Sequence, residues 1–199
     1  IAPIMCGSAA KNIGINTLLD NIVRCFPPPT YKNEVEGLDP KTGNTLKRKI
    51  KSDEPFSAFV FKTITDPFAG KLTLFKIYSG EIHPDMTVLN VSKDEKERIG
   101  QIFFLVGKKQ KSAGFASAGD IAVLSKLKDV GTGDTLCDEK NPIKYKEVSI
   151  SQPVISFSLQ PKAKGDEDKL NTSLARLIEE DQTIKYSRDE QTKEFILSG

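Results

Sequence analysis

Cysteine is scarce and scattered: Cys6, Cys25 and Cys137 are the three in a chain of 199 residues. An odd number, with no CxxC pair and no histidine nearby, argues against a disulfide framework and against a zinc site. A reducing cytoplasm fits that usage. Histidine occurs once, at His83, ahead of a proline in a turn-like stretch, which supports neither metal binding nor acid–base chemistry and implies a surface position. No apolar run approaches the roughly 20 residues of a membrane helix, and the N-terminus lacks the charged-then-apolar layout of a signal peptide. An excess of one charge is also missing. With 29 basic and 27 acidic residues the net charge is +2, so any nucleic-acid contact has to come from a local patch.

What is present is ordinary globular composition, 38% hydrophobic and 28% charged, enough for one large domain or two small ones. Within "DPFAGKLTLFKIY" (66–78) the Gly70-Lys71 pair suggests a phosphate-cradling loop, which needs a glycine five positions before the Gly-Lys pair and a Ser or Thr after it. Those positions hold Thr65 and Leu72. The pattern fails twice, and the strand-like run Leu72, Leu74, Phe75, Ile77 follows where a helix should begin. Glu179, Glu180 and Asp181 lie at a predicted helix end with no base, nucleophile or metal constellation around them, so no catalytic residue is assigned.

The chain opens abruptly at "IAPIMCGSAA", as an excised fragment would. A short buried strand is expected at Ile4–Cys6. Leu18, Leu19, Ile22, Val23 and Phe26 then form a helical stripe that the prolines at 27–29 terminate, so residues 1–29 read as the last βα unit of a larger α/β domain. Residues 30–54 are polar, with a turn signal at Pro40-Lys41-Thr42-Gly43, and read as a connector holding one hairpin. From Pro55 to about Ile143 short β-type runs alternate with Gly, Pro, Asp and Lys at the spacing of a small all-β sandwich or barrel, a closed barrel being preferred. The apolar face slips between Leu74 and Phe75, as a β-bulge or a barrel corner requires.

After Pro142 comes an alternating strand, "VSISQPVISFSLQPK". "GDEDKLNTSLARLIEED" follows, with Asp166 as N-cap, Glu167 and Asp168 on the positive end of the helix dipole and Leu170, Leu174, Leu177 and Ile178 as one stripe. Two short strands, "TIKYSRD" and "EFILSG", complete a β-α-β-β order, the first part of a split βαβ sandwich. The expected fold is therefore mainly β: residues 30–148 form the barrel domain, and 149–199 an incomplete, weakly stable third unit.

Taken in order, these segments resemble the middle of bacterial elongation factor G, the ribosomal translocase. "CGSAAKNIGINTLLDNIV" is similar to the end of its GTP-binding domain, and "DEPFSAFVFKTITDPFAGKLTLFKIYSG" to the opening of its second, β-barrel domain. "KERIGQI", "AGDIAVLSKLKDVGTGDTLCD" and "PVISFSLQPKAKGDEDKLNTSLARLIEEDQT" continue through the barrel into the third domain. Two stretches depart from the family pattern. Pro84-Asp85-Met86 replaces a usual Gly-Asp turn, and "FFLVGKKQKSAGFASAGDI" looks closer to elongation-factor-G-like paralogues.

The resemblance implies roles. Gly7, Ser8 and Ala9 match the fifth guanine-recognition motif, where backbone amides and the Ser side chain orient the base; the alternative is a plain strand-to-helix turn. Asp66, Pro67, Gly70 and Lys71 fall in a barrel loop that faces small-subunit ribosomal RNA in the family. There Gly70 allows close approach of backbone and Lys71 supplies a phosphate contact, against the alternative of a tight turn with a solvated lysine. Lys47, Arg48, Lys49 and Lys51, with Lys108, Lys109 and Lys111, form basic clusters in expected loops, more often merely solvated faces. GTP and magnesium belong to the parent protein, and this stretch, without the phosphate-binding motif, is expected neither to hydrolyse GTP nor to bind it. The implied partners are the ribosome and its tRNA and mRNA, for a monomer with no membrane contact. Two other readings stay open: a paralogue or ribosome-protection protein with another ribosomal task, and a non-catalytic RNA-binding β-barrel adaptor.

Overall fold

The computed structural model describes residues 2–66, 70–107, 109–161, 163, 165–192 and 194–199. The chain divides into two compact units, Ile1–Asn33 and Glu34–Gly199.

The first unit is built around α1 (Ile15–Cys25). Its helical stripe carries Leu18, Leu19, Ile22 and Val23, yet no residue of the helix is buried. It ends as expected: Phe26 turns extended (φ −88°, ψ 133°) ahead of the three prolines. The strand expected at Ile4–Cys6 does not form, because no neighbouring strand among the described residues offers it a ladder. Among the described residues before α1, Ser8 and Ile13 form an antiparallel bridge.

The second unit begins with the hairpin β1 (Glu34–Leu38) and β2 (Thr45–Lys49), closed by Asp39, whose Oδ1 accepts the Lys41 N–H at 2.8 Å. This stretch is no loose connector. Leu38 and Lys144 exchange two backbone hydrogen bonds, and Val35 and Leu46 pack on a cluster of Phe59, Cys137, Ile143 and Tyr145. Gly37 is needed there, since a Cβ would stand 2.6 Å from Ile143 Cγ1.

Ten strands follow: β3 (Ser57–Asp66), β4 (Gly70–Ser79), β5 (Glu81–Ile82), β6 (Thr87–Asn90), β7 (Glu95–Arg98), β8 (Ile102–Val106), β9 (Lys109–Ala113), β10 (Ala116–Ser117), β11 (Ile121–Ser125) and β12 (Thr135–Cys137). Eight form one antiparallel sheet in the order β7-β6-β12-β3-β4-β11-β8-β9, and β5 pairs with β10 separately. The expected closed barrel is corrected to an open sheet. Its two edge strands, Glu-Lys-Glu-Arg in β7 and Lys-Gln-Lys in β9, are charged in the way that discourages further pairing. The sheet still wraps one core: Val88 of β6, Val60 of β3, Phe75 of β4, Leu124 of β11 and Ile102 of β8 lie in a single buried cluster, which a flat sheet of that width could not share.

The expected bulge exists, with its extra residue on the partner strand. Val60 pairs with Phe75 and Lys62 with Leu74, so Phe61 is the unpaired residue opposite the slip. The Pro84-Asp85 turn also holds: Asp85 sits at φ 67° and the Met86 N–H reaches the His83 carbonyl at 3.4 Å, as a turn with Pro first and a left-handed second residue requires.

β13 (Ser156–Leu159), α2 (Glu167–Glu180), β14 (Lys185–Arg188) and β15 (Phe195–Ser198) give the β-α-β-β order, with sheet order β13-β15-β14. Leu174 and Phe195 are its buried apolar residues. Asp166 does not cap α2 with its side chain: its backbone is not extended (φ −87°, ψ 8°), and its carboxylate instead accepts from Lys169 Nζ at 2.8 Å.

Candidate functional site at the β3–β4 hairpin

β3 and β4 are the longest strands of the sheet, and their ladder runs to its last pair, Asp66↔Gly70. Gly70 adopts φ +75°, and a Cβ there would meet nothing within 4 Å. The glycine is therefore explained by left-handed backbone at the hairpin end; no close approach among the described residues requires it. Pro67 lies outside the described residues. Lys71, three-quarters covered, places its Nζ 3.6 Å from Glu179 Oε1.

That contact belongs to a larger docking. The C-terminal end of α2 sits against β3: Thr63 Oγ1 donates to the Glu179 carbonyl, the Thr65 N–H donates to Glu180 Oε1 at 2.7 Å, and Gln182 Nε2 donates to the Thr132 carbonyl at 2.6 Å. Asp181 turns inward to its own loop, accepting from the Thr183 hydroxyl at 2.6 Å and the Thr183 N–H at 2.9 Å, and those bonds hold its carboxyl below the usual aspartate range. Between helix and sheet lies a groove of about 910 Å³, with Phe59, Phe61 and Ile64 on the sheet side and Leu177, Gln182 and Thr183 on the helix side.

Sequence reasoning brought Asp66, Gly70 and Lys71 to one hairpin, as the fold does. It missed Thr63, Thr65, Thr132 and Gln182 and assigned no role to Glu179 or Glu180. The Thr63 and Thr65 contacts reach more than 100 positions along the chain, and no local pattern marks them.

The remaining assignments fall elsewhere. In the first unit the Ser8 N–H donates to the Ile13 carbonyl at 3.0 Å, Ser8 Oγ accepts the Lys11 N–H at 3.4 Å, and Ala9 O accepts the Asn12 N–H. A Cβ on Gly7 would come within 2.6 Å of the Ile13 oxygen, so this turn closes only around glycine. The Ser8 amide is used inside the loop, while its hydroxyl only accepts there and keeps its own proton for another partner. Of the basic clusters, Lys47, Arg48 and Lys49 lie in β2 and Lys109 and Lys111 in β9, where loops were expected, while Lys51 lies outside a strand. Arg48 is buried and donates to the Pro55 and Asn141 carbonyls at 3.2 and 3.0 Å, while Lys47 is taken by Glu34 and Glu36. Lys109 and Lys111 stand on the edge strand β9; Lys108 lies outside the described residues. His83 is exposed, 3.5 Å from Glu81 and stacked on Phe115. Among the described residues no group of three His, Cys, Asp or Glu side chains could hold a metal ion.

The family models for elongation factor G domain 2 and for elongation factor G, domain III, match residues 55–139 and 150–199, in that order. The chain belongs to the elongation factor G family. The open sheet with its wrapped core is the family's domain II, the β13–β15 unit is from domain III, and the hairpin–helix docking joins the two. A crystal structure from Thermus thermophilus is similar over 96% of this chain at 26% identity with a TM-score of 0.73, and the match takes up 26% of that chain. The elongation factor G segment thus spans about a quarter of that relative. No helix among its described residues is long and apolar enough to cross a membrane.

Proposed function

We propose that the longer protein containing this segment is a ribosome-binding translational GTPase of the cytoplasm. It uses GTP hydrolysis with magnesium to move tRNA and mRNA during protein synthesis. The observation that carries this reading is the succession of domain II and domain III matches, 55–139 and then 150–199, along one chain, which makes a stand-alone barrel adaptor a poor fit. In this reading the β3–β4 hairpin is the ribosome-facing element. Lys71 supplies a cation for a phosphate of small-subunit ribosomal RNA and Asp66 and Gly70 fix the hairpin end that presents it. Gly7, Ser8 and Ala9 would be the remnant of the guanine-recognition loop, completed by parts of the protein that carry the phosphate-binding motif. The protein acts as a monomer.

The test is a toeprint of a pre-translocation ribosome complex with the full-length protein and GTP. A shift of one codon is the expected result. GTP hydrolysis on ribosomes without the shift would overturn the translocase assignment in favour of a paralogue or ribosome-protection role, for which the divergent segment around Lys109 and Lys111 would then account.

A further inference from the structure

The same hairpin that presents Lys71 also holds α2, and the two tasks draw on one cation. Lys71 and Thr65 are directly opposite in the β3–β4 ladder. Lys71 Nζ faces Glu179 Oε1 at 3.6 Å, and the Thr65 N–H is held by Glu180 Oε1 at 2.7 Å. The docking carries polar contacts beside the groove, where Leu177 and Phe61 are each about two-fifths exposed (41% and 40%). Of these contacts the Lys71–Glu179 pair is the one between opposite charges, so it is the one a competing anion can replace.

We propose that Lys71 is the gate of an anion-sensitive latch. Glu179 occupies it while α2 is docked on β3, and a phosphate group arriving at the hairpin displaces Glu179 and loosens the end of α2. Binding at the hairpin and undocking of the helix are then two sides of one coupling, and each weakens or strengthens the other by the same factor. The inference rests on the ribosome-binding reading only for the source of the phosphate. An ion pair with a mostly covered lysine and a half-exposed carboxylate sets the coupling at roughly two- to fivefold.

The experiment is hydrogen–deuterium exchange on the full-length protein, wild type, Glu179→Gln and Lys71→Gln, with inorganic polyphosphate as probe and chloride at equal ionic strength as control. Polyphosphate is expected to speed exchange of the Thr65 amide and of residues 179–183 by roughly two- to fivefold in wild type. Glu179→Gln is expected to exchange fast without it and to bind it more tightly by a similar factor, and Lys71→Gln to exchange fast and ignore it. Unchanged exchange in wild type, or wild-type affinity in Glu179→Gln, would overturn the latch. Purified small ribosomal subunits provide a separate arm. Binding of subunits without any change at Thr65 overturns the latch and leaves the ribosome reading standing. Release by polyphosphate with no subunit binding supports the latch and removes that reading.

Discussion

The hydroxyls of Tyr145 and Ser57, 88 positions apart in sequence, meet at 2.6 Å in the buried seam where the β1–β2 hairpin joins the sheet. The direction of their bond follows from the far end of the chain of hydroxyls. Ser79 Oγ donates to the Pro55 carbonyl at 2.7 Å, so it must accept from Ser57, and Ser57 in turn must accept from Tyr145. The phenol is the terminal donor of a three-hydroxyl relay.

Burial pushes the Tyr145 phenol up to about 12, against an ordinary value of 10.0. A phenol raised on folding favours the native state fully below its unfolded value, and that contribution is lost as pH climbs from 10 to 12. Tyr145→Phe is expected to cost about 1–2 kcal/mol at neutral pH, because Ser57 loses its donor. The gap between variant and wild type should close, and then reverse, as pH passes through that window. Urea unfolding at pH 7, 10 and 12 measures both; a gap that stays constant would remove the relay.

Gly80 and Gly70 both have left-handed backbone, at φ 72° and φ 75°, but differ in surroundings. A Cβ on Gly80 would stand 2.6 Å from the Glu54 oxygen and from Phe56 N and Cα, all backbone atoms that cannot swing away. Gly70→Ala should cost about 1–2 kcal/mol from its dihedral alone, whereas Gly80→Ala should cost about 4 kcal/mol or more and reduce the folded yield. Equal thermal shifts for the two would contradict this packing.

Asp134 is a buried carboxylate at the floor of the groove. Its Oδ2 accepts Asn90 Nδ2 at 2.9 Å and the Gly131 N–H at 2.8 Å, with Lys93 Nζ at 3.7 Å. Asp134→Ala leaves those donors short of an acceptor in a buried place and is expected to cost about 2–3 kcal/mol. Asn90→Ala in the same background should then cost less than it does alone, its remaining loss being the bonds with the Asp129 carbonyl and the Ser92 N–H, which a double-mutant cycle on denaturant midpoints checks.

The periodic elements were legible because their periods are local. The stripes of α1 and α2 follow 3.6 residues per turn, and the runs that become β3, β4, β6, β8 and β11 carry their own turn punctuation. The slip between Leu74 and Phe75 was readable too, but a single strand cannot say where the extra residue sits, and pairing puts it at Phe61. Asp166 has the composition of an N-cap without its backbone geometry. Around the hairpin, Gly70 and Lys71 were visible as a turn. Glu179, Glu180 and Gln182 were visible only as a helix end, because what defines their contacts is a β3 segment and a loop far along the chain. Sheet closure was likewise a property of the two edges, which no interior strand reports.

Arg48 and Lys71 separate structure from binding. Arg48 was grouped by sequence with Lys47, Lys49 and Lys51, but β2 alternates, so Lys47 and Lys49 face out while Arg48 faces in and clamps the Pro55 and Asn141 carbonyls. Its loss removes two charge-assisted bonds and takes the Arg48 donor from the Asn141 carbonyl, while the Pro55 carbonyl keeps Ser79 Oγ, so Arg48→Ala should cost about 2–3 kcal/mol of stability. Because the guanidinium is spent inside the fold, the affinity of the folded variant for small ribosomal subunits should match wild type. Lys71→Gln should do the reverse: it gives up only the partly covered ion pair with Glu179, about 1 kcal/mol, but removes one phosphate contact, lowering the slope of log affinity against log salt by about 1. Denaturation and subunit binding at three salt concentrations, run on both variants, test the pair together. A stable Arg48→Ala with weakened binding would return Arg48 to the basic surface, and an unchanged slope for Lys71→Gln would take the hairpin lysine off the ribosome.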